Sequence, residues 1–228
     1  MSASIREALA EVRVRIARAA AACGREAGDV KLVAVSKTKP AEAIREAYAA
    51  GQRAFGENYA QELATKREAL GDLADIEWHF IGHLQTNKAK LVAKSADVVH
   101  AVDSTVLARE LGKRVLSAGR PGPIPVLVEV NLAAEPQKHG AAASDLADVI
   151  AAVEGQPGLR LQGLMTMPPF GDLAIARRTF EALASLRLLH GGAQVLPELS
   201  MGMSADLEIA IASGATIVRV GTAVFGER

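Results

Sequence analysis

The 228-residue chain has almost no cysteine. Cys23 stands alone in an alanine-rich helical stretch, which excludes a disulfide framework within the chain and a cysteine-ligated zinc site. Its expected role is that of a small core hydrophobe. Neither sign of charge is in excess, since Lys plus Arg and Asp plus Glu both number 26. A polyanion partner would need a basic footprint, so nucleic acid is not expected. No apolar run reaches the roughly 20 residues that cross a bilayer, and Met1-Ser-Ala-Ser-Ile-Arg-Glu7 lacks the basic start and apolar stretch of a secretory signal. A cytoplasmic protein without a membrane partner is the expectation. There is also no low-complexity linker, no second composition regime and no repeat beyond a strand-helix rhythm, so residues 1–228 are read as a single domain.

What is present is an alternation. Ser4 and Glu7 form a capping box before Ile5, Leu9, Val12 and Ile16, which predicts an N-terminal helix ending near Gly24. Strands are predicted at 31–37, 53–55, 76–81, 97–102, 124–130, 159–164, 195–200 and 216–220. The seventh is the weakest, because Pro197 cannot donate to a ladder. Between them Pro40 starts a helix that Gly51 ends, Asn58 with Gln61 caps the next, and Ser104 and Ser204 cap two more. Other helices fall at 86–94, 144–154 and 173–190, and Lys88, Lys90 and Lys94 read as a solvated helix face. The segment 133–143 is a long connection of the kind that often forms a lid. Eight strands alternating with helices predict a (β/α)8 barrel with an extra N-terminal helix. A doubly wound sheet would have to explain the even spacing and the missing Gly-x-Gly-x-x-Gly turn after the first strand.

The first strand carries the strongest chemical signal. Alternation puts Lys37 on the face of Val33 and Val35, with Leu32, Ala34 and Ser36 on the other. An amine at the end of an apolar wall, with Lys39 nearby, favours the neutral nucleophilic form that condenses with an aldehyde or ketone. The ordinary alternative is a solvated lysine in a loop.

In a barrel of this kind function collects at the C-terminal ends of the strands, here Lys37, Asn58, His83, Asn131, Met165, 200–204 and 219–222. The loops after strands seven and eight are the usual phosphate position. Ser204 in Met201-Gly-Met-Ser204, and Gly221-Thr222, offer hydroxyls and backbone amides there, though each is also an ordinary cap or turn. Arg219 shares the parity of Ile217 and so can face the barrel interior near the mouth. A phosphate site opposite an activated lysine suggests a phosphorylated aldehyde held as a Schiff base; pyridoxal phosphate is the commonest such cofactor, and a Schiff-base aldolase shares the description. An arginine facing the pyridine nitrogen would weaken the ring as an electron sink, whereas an arginine neutralising a rim carboxylate would have no such role.

Val35-Ser-Lys-Thr-Lys-Pro40, Phe55-Gly-Glu-Asn-Tyr59, Trp78-His-Phe-Ile-Gly-His-Leu-Gln85, Leu199-Ser-Met-Gly-Met-Ser-Ala-Asp206, Arg219-Val-Gly-Thr222 and Phe225-Gly-Glu227 resemble the YggS-type pyridoxal phosphate homeostasis proteins. The resemblance spans Val35 to Glu227. It implies a barrel similar to the N-terminal domain of alanine racemase, fold type III among pyridoxal phosphate proteins, with the cofactor on Lys37. By the same resemblance Ser204, Gly221 and Thr222 would hold the phosphate, Arg219 would face the pyridine nitrogen, and Asn58 and His83 would line the ring.

The resemblance further implies a non-enzymatic role in binding and handing over the cofactor, with pyridoxal phosphate-dependent apo-enzymes as transient recipients. Lys39, and Lys138 in the long fifth loop, are candidate acceptors in such a transfer. The competing expectation is a racemase or related amino-acid-transforming enzyme. Two-base racemisation needs a tyrosine brought by a further C-terminal domain, whereas this sequence has only Tyr48 and Tyr59 and runs six residues past Thr222. With no exposed apolar stripe apparent, a monomer is expected.

Overall fold

The computed structural model describes residues 4–132, 139–169 and 171–227. Its eight strands are all parallel and close into a barrel in chain order. Helix α1 (Ile5–Ala22) precedes strand β1 (Lys31–Val35), and the alternation continues through α2 (Ala41–Ala49), β2 (Ala54–Glu57), α3 (Ala60–Ala69), β3 (Glu77–Phe80), α4 (Ala89–Ser95), β4 (Val98–Val102) and α5 (Thr105–Ser117). The second half comprises β5 (Ile124–Glu129), α6 (Leu146–Glu154), β6 (Leu159–Met165), α7 (Leu173–Leu189), α8 (Gly192–Val195), β7 (Glu198–Ser200), α9 (Leu207–Ala212), β8 (Ile217–Val220) and α10 (Thr222–Phe225). Closure comes from β1 against β8, with Lys31 opposite Ile217 and Val33 opposite Arg219.

Strand periodicity divides the apolar residues into two shells. Inside the barrel, Val33, Ala54, Val98, Leu127, Met165 and Ile217 form one cluster. Their neighbours in sequence, among them Leu32, Phe55, Val99, Val126, Leu164 and Val218, join a larger cluster beneath the helices. The α1 capping box is formed, with Ser4 Oγ accepting from Glu7 N–H at 3.3 Å and Glu7 Oε2 from Ser4 N–H at 2.8 Å. Leu9, Val12, Ile16 and Ala20 then recur on one helical face and bury it against α2, α9 and α10. No helix among the described residues is long and apolar enough to cross a membrane.

Several local expectations need correction. Strand β1 ends at Val35, so Lys37 lies two residues past the strand, in a turn. Strand β7 starts only at Glu198, after Pro197, which has no N–H to contribute to a ladder. The predicted helix at 86–94 divides into a 3-10 turn, Thr86–Lys88, and α4. Ser104 caps α5 as expected, but Asn58 does not cap α3, whose N-cap is Tyr59. Nor does Ser204 cap α9, whose N-cap is Asp206. Cys23 is exposed at the C-terminal end of α1 and is not a core residue.

Candidate functional site

A cavity of about 730 Å³ opens where the loops after β1, β6, β7 and β8 meet, lined by Lys37, Asp172, Met203, Ser204, Arg219, Gly221 and Thr222 among others. Its volume is in the range of small-molecule and cofactor sites. The Ser204 and Thr222 hydroxyls are 3.0 Å apart, and Ser204 Oγ accepts from Ala223 N–H at 3.3 Å. Because Ser204 lies three residues before α9, its hydroxyl is not spent on capping that helix and instead joins the start of α10. Gly202 makes this turn possible. Its φ is +95°, and a Cβ there would sit 2.5 Å from Ala210 Cβ. From outside, Arg15 of α1 donates to the Ser204 carbonyl at 2.9 Å while paired with Glu208, so the N-terminal helix braces the loop after β7.

Lys37 is half-buried and is followed by Thr38 at φ +64°, the one non-glycine residue with positive φ among the described residues. A β-branched residue in that conformation costs about 1–3 kcal/mol, and such strain persists only where surrounding contacts impose it.

Arg219 is buried inside the barrel, donating to Ser200 Oγ at 2.6 Å and to the Thr166 carbonyl at 3.1 Å. Burial lowers its pKa to about 10, with Glu129 and Asp206 opposing the shift, so it stays cationic at neutral pH. Behind it runs a line of polar side chains from successive inward positions. Ser200 Oγ is 2.8 Å from His100 Nδ1, His100 Nε2 is 2.8 Å from His79 Nδ1, and His79 Nε2 lies 3.3 Å from Glu77 Oε2 at the opposite end of the barrel. Full burial, then the positive fields of His79 and Arg219, hold the His100 pKa well below that of free histidine. The facing His79 ring draws the Glu77 pKa down to about 2. Donors can run one way along this line, from Arg219 to Ser200, Ser200 to His100 and His100 to His79, and His79 Nε2 then faces Glu77 without a formed hydrogen bond.

Glu129, at the mouth end of β5, was not among the sequence candidates. Burial, followed by repulsion from Asp103, raises its pKa to about 7, with Arg219 pulling the other way. Its signal was available, since it shares the inward parity of Leu127 at a strand end. Sequence reading passed over it for Asn131. His79 and His100 were missed in the same way: histidine in an apolar strand resembles a satisfied core residue until neighbouring strands are placed in register.

Asn58 and His83 do not line the cavity. Asn58 is half-buried, its Oδ1 has no hydrogen-bond partner among the described residues, and the Gly82 backbone presses against it so closely that a Cβ would fall 2.1 Å from the Asn58 carbonyl. His83 stacks on His139 with centroids 3.5 Å apart, and its Nδ1 is 3.6 Å from Asp103 Oδ2. Lys39 is not beside the Lys37 amine as a loose neighbour. Its Nζ donates to the carbonyls of Phe225, Gly226 and Glu227 at 2.9, 3.3 and 3.0 Å. Lys138 and part of the fifth loop lie outside the described residues. Tyr48 bonds Asp75 on the outer surface, and Tyr59 is exposed at the start of α3. No cluster of metal-binding side chains occurs among the described residues.

Comparison with known proteins agrees with this architecture. The alanine racemase N-terminal domain family matches residues 8–228. A pyridoxal phosphate homeostasis protein of Pseudomonas aeruginosa is 48% identical over 227 residues, covering 99% of this chain and 96% of the relative. The protein of the same description from Escherichia coli K12 is 44% identical over 230 residues, with coverage of 96% and 95%. PipY of Synechococcus elongatus, solved with PLP bound, superposes with a TM-score of 0.84 at 39% identity, covering 97% of this chain and 100% of PipY. Alanine racemase of Corynebacterium glutamicum shares the fold, with a TM-score of 0.69 at 19% identity; the match covers 98% of this chain and 61% of the racemase.

Proposed function

The chain belongs to the pyridoxal phosphate homeostasis proteins, built on the alanine racemase N-terminal fold, and from that premise we propose that it is a pyridoxal phosphate carrier that holds the cofactor on Lys37 and releases or transfers it. One observation supports this reading above the rest: an amine, a buried guanidinium and two hydroxyls, drawn from the loops and ends of β1, β7 and β8, border a single cavity of cofactor size. The residues suit the group. Ser204, Thr222 and the turn at Gly221 supply neutral donors for a phosphate. Arg219 supplies a cation towards a ring nitrogen, and Lys37 a primary amine for an aldehyde.

When bound, pyridoxal phosphate supplies that aldehyde together with a ring able to withdraw electrons. Lys37 would hold the group through a reversible C=N linkage between its primary amine and that aldehyde, with water as the other product, and water or a competing amine would release it again. Arg219 keeps its own proton, because a guanidinium with a pKa near 10 yields one poorly at neutral pH. With a ring in the cavity it would remain a cation and would not hand over its proton, so it would make a poorer electron sink of the ring than an acidic partner would. Asn58, which follows β2 beside β1, and His83, which follows β3, do not line this cavity. Apo-enzymes dependent on the cofactor are the recipients in this reading, and the chain acts as a single-domain monomer.

Borohydride reduction of the protein incubated with pyridoxal phosphate, followed by peptide mass mapping, tests the site. A label confined to Lys37 is expected; label scattered over surface lysines overturns the assignment. Incubation of loaded protein with L-amino acids in deuterium oxide tests the carrier role. Catalytic exchange of the α-hydrogen at ordinary enzymatic rates, about 1 s⁻¹ or more, would replace it with an amino-acid-transforming activity.

A further inference from the structure

Beneath the Lys37 turn lies a charged cluster that does not border the cavity. Glu57, the last residue of β2, is fully buried on the face turned away from the barrel interior, and Glu62 and Lys66 lie one helical turn apart on α3. Lys66 Nζ donates to Glu57 Oε1 and Glu62 Oε1, both at 2.7 Å, and to the Ser36 carbonyl at 2.6 Å. An ammonium has three donors, so all are used. Glu57 Oε1 also accepts the Ser36 hydroxyl at 2.6 Å, and Glu62 Oε1 accepts the Thr38 N–H at 2.6 Å. Both neighbours of Lys37 are thereby tied to one ammonium.

A buried ion cluster is a poor way merely to hold a helix against a barrel, because desolvation offsets the attraction and apolar side chains of similar volume do as well. Apolar side chains cannot, however, fix the direction of particular backbone N–H and C=O groups. Here the groups fixed are those flanking Lys37, and Thr38 is held in a conformation that threonine avoids. We propose that Glu57, Lys66 and Glu62 form a staple that sets the Ser36-Lys37-Thr38 turn so that the Lys37 amine reaches a carbonyl carbon in the cavity. The staple residues touch no reacting atom and are positioning residues. The inference rests on the reading of Lys37 as the reactive amine. Addition requires the nitrogen lone pair to be aimed at the aldehyde carbon, whereas phosphate and ring binding do not, so loosening the turn penalises the covalent linkage selectively.

The test replaces the ion pair without leaving an unpaired buried charge, through Glu57→Gln combined with Lys66→Met. Two ligands are titrated into wild type and variant: pyridoxal phosphate, read by the absorbance of the C=N linkage, and pyridoxine 5′-phosphate, which lacks the aldehyde, read by calorimetry. The linkage equilibrium is expected to fall about tenfold or more while pyridoxine 5′-phosphate affinity stays within about twofold. An unchanged linkage equilibrium, or a parallel loss of both, overturns the staple. Glu62→Ala, at a side chain 22% exposed, frees the Thr38 amide and one Lys66 donor while leaving the Lys66–Glu57 pair, and it keeps the proposal falsifiable if the double variant does not fold. About a threefold loss of linkage is expected there, and none would overturn it. Failure of wild type to take borohydride-fixed label on Lys37 would instead reject the underlying reading, a result separate from any property of the variants.

Discussion

The two sides of the barrel mouth are built differently. On the side of β7, β8 and β1, the groups facing the cavity are each fixed by neighbours: Arg219 by Ser200 and Thr166, Ser204 by Thr222 and Ala223, and the Lys37 turn by the cluster on α3. Across from it, on the side of β3 to β5, His83 and His139 stack in solvent beside Asp103, while burial pushes the pKa of the Glu129 carboxyl up to about 7. Among the described residues the first side is held by directional contacts, while the second carries exposed rings and a buried carboxyl; in the reading proposed above, the fixed side is the one that would hold the ligand.

The largest expected effect that would break this contrast is Lys37→Ala. Borohydride-fixed label should vanish completely while the unfolding free energy stays within about 0.5 kcal/mol of wild type, since Lys37 lies in a turn and outside both apolar clusters. Persistent label elsewhere in the cavity would mean the reactive side has been misplaced.

Glu129→Gln probes the opposite side. Because the native carboxyl has a pKa of about 7 against an ordinary 4.5, raising the pH between those values ionises the unfolded chain while the native state keeps its proton. Native stability should therefore fall across that window. At about 1.4 kcal/mol per pH unit the loss approaches roughly 3 kcal/mol, and the glutamine variant should escape it. Urea unfolding at pH 4 and pH 8 should show the variant gaining over wild type only at the higher pH. An equal difference at both values would show that Glu129 is not held protonated.

Ser204→Ala should leave the Lys37 linkage in place but weaken phosphate holding by about 1 kcal/mol, roughly fivefold in affinity, as measured with pyridoxine 5′-phosphate. Unchanged affinity would remove Ser204 from the site. The smallest effect is expected of His83→Ala, whose ring is engaged with His139 and Asp103. Cofactor affinity should change by less than about twofold, and a larger loss would bring the outer rim into the binding surface and erase the contrast.

The sequence by itself determined the alternation, because helical and strand periods are local properties that residues such as Leu9-Val12-Ile16 and Leu32-Val33-Ala34 carry without reference to the rest of the chain. It also pointed to Lys37, Ser204, Arg219, Gly221 and Thr222, which border one cavity, and to Asn58 and His83, which do not. The reason for this division is geometric. Loop direction after a strand depends on packing that no local signal records, as with the close approach of Gly82 to Asn58. Only the tertiary structure decided that Glu62 and Lys66, an ordinary i,i+4 pair by sequence, face inward under the Lys37 turn, and that His79, His100, Ser200 and Arg219 from four strands lie in one line. A strand's alternation fixes which residues share a face, but which side chains meet across that face is set by the register of all eight strands, and register exists only once the barrel has closed.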